Sequence, residues 1–256
     1  MEGEAVKRAR ETWDERAVQK GDSLSGVLYR GLPTSINAYL NDWHITLVLE
    51  KLLPLIPCGG RLLDLGCGFG RITEPVQRVR PDIEVIGLDF SIEYCCMFHR
   101  RVGSVVCGDV NRPPFPEASF DAVVAITSLM YIPVARRREV ISQLNRLLKQ
   151  GACALYVDPG YEFMRLVAVL QPSTRHTPTG GSWFRSGEYR ELGHLDAAVE
   201  DYGGVPGFSF MLPLLKPLSR HEALLAHILQ YNRHVDEKLA RWWKLSIHRW
   251  MLIRRT

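Results

Sequence analysis

The stretch that decides the fold is LLDLGCGFG, residues 62–70, an apolar run that empties into glycines at 66, 68 and 70. Glycine lets a backbone turn tightly and approach a ligand where a Cβ would collide, and a helix that follows presents N–H groups with no intrahelical partner. The pattern predicts a strand, a tight turn and a helix start that together hold a ligand by backbone. A dinucleotide fingerprint would carry its third glycine at position 71, where Arg71 stands. Asp64, two residues before the first glycine, would repel a pyrophosphate and attract an ammonium.

Working outward, short apolar runs alternate with helical patterns. The runs are LLDL (62–65), EVIGLD (84–89), SVVCGD (104–109), FDAVVAI (120–126) and ACALYVD (152–158), with helix patterns over 71–79, 91–100 and 136–149. Unalternating apolar runs suit strands buried on both faces, and their succession with helices predicts an α/β, doubly wound, mostly parallel sheet. Asp89 ends the second run, where a carboxylate can accept both hydroxyls of a ribose, and Asp109 ends the third, within reach of the exocyclic amine of an adenine.

Upstream, a polar helix over 5–20 precedes a helix opening near Ser35, whose apolar stripe is Ile36, Leu40, Trp43 and Leu47. Downstream, a helix over 160–170 leads to the loop QPSTRHTPTGGS (171–182). Ser219 and Glu222 then form a capping box that opens a helix with the stripe Leu224, Ile228, Tyr231, Val235, Leu239 and Trp242. SIHRWMLIRR (246–255) suits a last strand. The expected organisation is an N-terminal helical cap or substrate lid over 1–59 and a core over 60–256, within which 171–245 forms a variable substrate-recognition region.

Of 256 residues, 32 are basic and 28 acidic, and the net +4 lies entirely in residues 221–256, which hold seven basic and three acidic side chains. A neutral body argues against a nucleic-acid partner. The cysteines at 58, 67, 95, 96, 107 and 153 contain no C-x-x-C pair and read as reduced thiols, with no metal site. No apolar stretch is long enough for stable membrane insertion. The expected location is cytoplasmic, and oligomeric state is left open, a homo-oligomer included.

Four linked segments, DLGCGFGR (64–71), GLDFS (87–91), GDVNRPPFPEASFDAVVA (108–125) and LNRLLKQGACALYV (144–157), resemble the class I S-adenosylmethionine-dependent methyltransferases, in particular the broad "type 11" group of small-molecule enzymes. The resemblance implies a Rossmann-like seven-stranded sheet of order 3-2-1-4-5-7-6, helices on both faces, a helix before the last strand and that strand antiparallel. It also implies S-adenosyl-L-methionine as cofactor. Gly66, Cys67 and Gly68 would lie against its methionine half and Asp64 near its amino group. Asp89 would take the ribose hydroxyls, Phe90 would flank the adenine, Asp109 with Val110 would bind its edge, and Ile126 would border the sulfonium.

Methyl transfer from a sulfonium asks the protein mainly for alignment and exclusion of water. A hydroxyl acceptor would also use a general base, for which Tyr131 and His176 have the best expected locations. After the fourth strand the chain reads ITSLMYIP (126–133), without the N-P-P-Y type segment of enzymes that methylate base or glutamine amines. No cysteine lies between Cys107 and Cys153 for pyrimidine-C5 chemistry, and the paired-glutamate loop of protein arginine methyltransferases is absent. The reading is methyl transfer to an O or N atom of a small molecule, a natural product, a saccharide or a peptide end. Tyr29, Tyr39, Trp43 and the segment GGSWFRSGEY (180–189) either close over it or, as an aromatic stripe at helical spacing also implies, pack as core. Two alternatives are a non-catalytic binding or scaffold protein of the same fold and a nicotinamide-dependent oxidoreductase, which Arg71 and Asp64 disfavour.

Overall fold

A computed structural model describes residues 2–170, 181–205, 217–218, 221–239 and 246–256. Its centre is a seven-stranded sheet in the order β3-β2-β1-β4-β5-β7-β6. The strands are β1 (Arg61–Leu65), β2 (Glu84–Asp89), β3 (Val105–Cys107), β4 (Phe120–Ile126), β5 (Leu148–Pro159), β6 (Ala197–Val205) and β7 (His248–Arg255). The first five run parallel, and β7 is antiparallel to both β5 and β6. The chain therefore turns outward in opposite directions from β1 and β4, and a crevice opens between their carboxyl ends, the position where open α/β sheets bind ligands.

The helices that matter for this crevice are α1 (Glu2–Lys20), α2 (Leu24–Val27) and α3 (Thr34–Leu47) before the sheet. Within it come α4 (Thr73–Val79), α5 (Ile92–Arg101), α6 (Arg137–Leu147), α7 (Tyr161–Leu170), α8 (Ser186–Gly193) and α9 (Glu222–Leu239). One apolar layer joins α3, α7 and α9 to one sheet face through Leu40, Leu52, Val124, Leu155, Phe163 and Leu229. The other joins α6 and α8 to the opposite face through Leu63, Val123, Leu144, Ala154 and Leu192. Two covered faces are what the unalternating runs require.

The stripe Ile36, Leu40, Trp43 and Leu47 of α3 is buried as its periodicity implies. The stripe assigned to α9 is not. Leu224 is 50%, Tyr231 80% and Val235 53% exposed, and Leu225, Leu229 and Asp236 face inward instead. Polar contacts with α3 select that face: Tyr39 donates to Asp236, Arg233 donates to Thr46 Oγ1 at 3.2 Å, and the Arg233 guanidinium lies 4.5 Å from the Trp43 ring centre. Glu222 likewise serves another helix. Its carboxylate accepts the Thr34 and Ser35 N–H groups at 3.0 Å each, capping α3, whose own Pro33 offers no side-chain cap. Ser219 and Trp242 lie outside the described residues. Strand β6 carries no clean alternation because its register shifts between Val199 and Asp201, and sequence reading did not find it.

Three of the basic residues near the C-terminus contact other parts of the fold. Arg254 pairs with Glu200 at 2.8 Å, and Arg255 donates to the Arg146 carbonyl at 2.7 Å. Arg249, 1% exposed, pairs with Glu162 and donates to the Phe184 carbonyl at 3.1 Å, tying α7 and the segment before α8 to β7. Arg249→Met is expected to cost about 3 kcal/mol, because breaking a buried pair strands its partner and a carbonyl. A urea titration measures it, with a loss below about 1 kcal/mol ruling out the tie. Arg249 also holds the Glu162 carboxyl down to about 2. That contribution is complete above Glu162's ordinary 4.5 and disappears as pH falls through about 2.

Candidate active site

The site is built on the turn after β1. Gly66 leaves the strand at φ +72°, and the N–H groups of Gly66 and Cys67 both donate to the Leu88 carbonyl of β2, at 2.7 and 3.2 Å. Gly68, at φ +53°, donates its N–H to Asp89 Oδ2 at 2.8 Å, while Asp89 Oδ1 accepts the Ser91 N–H at 2.9 Å. The glycine turn and the Asp89 carboxylate are one hydrogen-bonded unit. Helix α4 begins at Thr73, two residues later than its pattern suggests, so Arg71 and Ile72 belong to the loop. Ser128, after β4, completes the cradle: a Cβ on Gly66 would stand 2.5 Å from the Ser128 Cβ. The Ser128 hydroxyl is buried without a partner, a group that sequence reading missed and that a bound ligand would satisfy.

Asp64 is the penultimate residue of β1, at 3% exposure, where the Thr73 hydroxyl donates to its Oδ2 at 2.5 Å. Burial pushes its carboxyl up to about 6, against the pull of that hydroxyl and of Arg71. Burial also raises Asp89 to about 6, against three backbone N–H donors and with the Asp14 charge adding to the rise. Two carboxylates with weakened solvation face the same turn. Such groups gain from a ligand that brings positive charge or hydroxyl donors.

The remaining expected site residues sort by position. Phe90, half-buried, has the Arg10 guanidinium of α1 4.7 Å from its ring centre. Strand β3 stops at Cys107, so Asp109 lies two residues beyond the strand it was expected to end; its Oδ1 accepts both the Asn111 N–H and the Asn111 side-chain amide at 2.8 Å. Val110 is half-buried beside it and packs on the apolar layer that α6 and α8 cover. Ile126 ends β4 at 6% exposure, beside Val157 of β5. Cys67 is buried and its thiol is pushed well up by burial and the two carboxylates, which suits a small residue filling a turn. Tyr131 is half-buried, with its ring edge-on to Trp13 of α1 at 5.3 Å. His176 lies outside the described residues.

Of the aromatic groups read as either acceptor cover or core, Tyr39 and Trp43 are core, at 6% and 7% exposure. Phe184 and Tyr189 are core as well, each 1% exposed, while Tyr29 is half-buried. Arg71, whose place at a helix start suits a surface or ion-pairing residue, is half-buried. It reaches back to α3, and burial lowers its guanidinium to about 10 despite the Asp64 charge. His248 of β7 is fully buried and hydrogen-bonded. The N-terminal helices also reach the turn itself: Val27 of α2 lies 3.2 Å from where a Gly68 Cβ would stand, and Ser91 Oγ donates to Asp14 of α1 at 2.6 Å.

Residues 62–151 match the model of a methyltransferase domain. Demethylmenaquinone methyltransferase of Thermotoga maritima is 30% identical over 152 residues, covering 59% of this chain and 61% of that protein. The chain spans between 40% and 61% of the length of three curated relatives that it matches. Matching relatives are named for quinone, malonyl-[acyl-carrier protein], tRNA and sterol methylation. In fold, geranyl diphosphate C-methyltransferase from Streptomyces coelicolor A3(2) superposes with a TM-score of 0.63 at 13% identity, over 98% of each chain. A [4+2]-cyclase superposes at 0.61 and 20% identity, covering 96% of this chain and 94% of its own, so the architecture alone does not assign the reaction.

Proposed function

We propose that the chain is a class I S-adenosylmethionine-dependent methyltransferase and that it transfers a methyl group to an oxygen or nitrogen atom of a small-molecule acceptor. The observation that carries the reading is the shared unit of Gly66, Gly68, Asp89 and the unpartnered Ser128 hydroxyl at the carboxyl ends of β1, β2 and β4. When bound, S-adenosylmethionine would supply a sulfonium methyl whose carbon bonds in line to the acceptor atom as the C–S bond breaks and the sulfur leaves as the thioether S-adenosylhomocysteine. Asp64 would stand toward its ammonium and Ser128 toward its methionine half, beside Gly66, Cys67 and Gly68. Asp89 would hold the ribose, Phe90 would flank the adenine with Asp109 and Val110 at its edge, and Ile126 would border the sulfur. These residues fit the cofactor: the cradle admits no Cβ at Gly66, and the carboxylates are poised for hydroxyls and a cation.

Residues 1–59 then act as the lid, with α1 and α2 lying over the turn, and 171–245 contributes to recognition. Tyr131, between Trp13 and the glycine turn's partner Ser128, is the described candidate for a proton acceptor. The neutral charge of residues 1–220 supports a small acceptor over a nucleic acid. Among the described residues no helix is long and apolar enough to cross a membrane.

Calorimetric titration with S-adenosylmethionine, S-adenosylhomocysteine and NAD tests the assignment: both sulfur ligands should bind and NAD should not, and failure of both to bind would overturn it. The affinity should also depend on pH. Asp64 and Asp89 ionise near 6, so a cation and ribose hydroxyls are served above that value and lost below it. Between pH 7.5 and 5 the affinity is expected to drop roughly tenfold for each carboxylate. The unliganded protein behaves oppositely. Its stabilisation from these raised groups is complete below their ordinary 3.8 and disappears as pH rises through about 6. Affinity that is flat from pH 5 to 7.5 would refute the charge assignment.

A further inference from the structure

Behind the glycine turn, four polar side chains from four separate segments form one line. Arg71 Nη1 donates to Asn41 Oδ1 at 2.9 Å and to His44 Nδ1 at 3.3 Å. His44 Nε2 lies 2.8 Å from His248 Nδ1, and His248 Nε2 lies 3.0 Å from the Tyr29 hydroxyl. The two imidazoles meet edge to edge, nearly coplanar at 18° with centres 4.9 Å apart, and the Tyr29 ring is 17° from the His248 plane with centres 5.8 Å apart. His44 and His248 are completely buried, whereas Tyr29 keeps part of its surface open.

The line has one direction. A guanidinium has N–H groups and no acceptor, so His44 Nδ1 must carry the lone pair. A neutral His44 then holds its proton on Nε2 and donates to His248 Nδ1. His248, also neutral, donates from Nε2 to the Tyr29 oxygen. Burial and the Arg71 charge keep both rings neutral, with His44 well below its ordinary range and His248 down to about 3. Tyr29 therefore receives at its oxygen and has its own O–H left to give. In the structure that O–H points at Met164 Sδ, 3.8 Å away, a weak acceptor. Burial and the nearby Tyr131 keep the phenol protonated, so it serves as a donor and not as a base.

We propose that Tyr29 is a specificity residue whose O–H binds a carboxylate or carbonyl oxygen of the acceptor molecule, and that Arg71, His44 and His248 are the positioning residues that aim it. The assignment rests on the methyltransferase reading only for what the cleft holds. His248 sits opposite Pro159 at the carboxyl end of β5, the same end of the sheet as Ser128 and Gly66. Trp13, Tyr131 and Met164 give that part of the molecule aromatic and thioether walls. A flat or apolar molecule carrying one oxygen acceptor matches both features, whereas a cationic group at this point finds the Tyr29 lone pair already engaged.

Two measurements on the full chain test this. In long-range nitrogen NMR of histidine-labelled protein at pH 7, His44 and His248 should both show Nε2–H tautomers, and Arg71→Met should remove that bias at His44. An Nδ1–H form or a protonated ring at either position in the unsubstituted protein overturns the line. Second, benzoate and toluene serve as probes, titrated with and without S-adenosylhomocysteine. Tyr29→Phe keeps the ring but removes both the donor to benzoate and the acceptor of the His248 Nε2–H, so benzoate should weaken by about fivefold or more while toluene is unchanged. A smaller change, or no benzoate binding to the unsubstituted protein, overturns the oxygen assignment. S-adenosylhomocysteine should bind Tyr29→Phe as it binds the unsubstituted protein. Its failure to bind the unsubstituted protein would count against the methyltransferase reading, while the tautomers still decide the line.

Discussion

Asp89→Ala is expected to weaken S-adenosylhomocysteine binding by about a hundredfold or more, equivalent to at least ~2.7 kcal/mol. Two losses combine. The ribose hydroxyls lose their acceptor, and the Gly68 and Ser91 N–H groups that Asp89 now fixes, at 2.8 and 2.9 Å, lose theirs. Stability should change far less than affinity. Each stranded donor costs about 1–3 kcal/mol, but the substitution also removes a carboxylate that burial has already made expensive to ionise. Asp89→Asn retains one acceptor oxygen and should fall between, near tenfold. Calorimetry gives the affinities and thermal melts the stabilities; unchanged affinity in Asp89→Ala would remove this residue from the cofactor site.

Gly66→Val is expected to eliminate measurable cofactor binding and to lower stability by about 2–4 kcal/mol. The backbone there sits at φ +72°, where a β-branched side chain is strained. The close approach is the larger effect, because the added Cβ would stand 2.5 Å from the Ser128 Cβ. Relief requires the turn to lift from the Leu88 carbonyl and so to leave the sheet end. Gly59→Ala separates the two effects. It has φ +66° with nothing within 4 Å of its Cβ position, so it should show backbone strain of about 1 kcal/mol and normal binding. Gly66→Val that binds S-adenosylhomocysteine within threefold of the unsubstituted protein would show that the cradle does not hold the ligand.

What could be read before folding follows from periodicity and local turn chemistry. The five parallel strands and the helices between them are visible because a strand buried on both faces must be apolar throughout, and the glycine turn is visible because few side chains tolerate its backbone. The strand FDAVVAI matches its observed bounds, and EVIGLD does so too. The α9 stripe failed for a physical reason: Leu224 and Leu225 are adjacent, so two apolar faces compete, and Tyr39, Thr46 and Trp43 of α3 decide between them through Asp236 and Arg233. Glu222 was legible as a cap but not as the cap of α3, which lies about 190 residues earlier in the chain.

By itself, then, the sequence determined the alternation of buried strands with helices, the glycine turn and the acidic residues at or near the strand ends, since each depends on neighbours within a few positions. Only the tertiary structure decided which groups those residues meet. Ser128 faces Gly66, Arg71 reaches back to α3, and His44, His248 and Tyr29 come together from positions more than two hundred residues apart. No local pattern encodes such a line, because a buried polar group is tolerable only when a partner from elsewhere in the chain satisfies it, and that partner is chosen by packing.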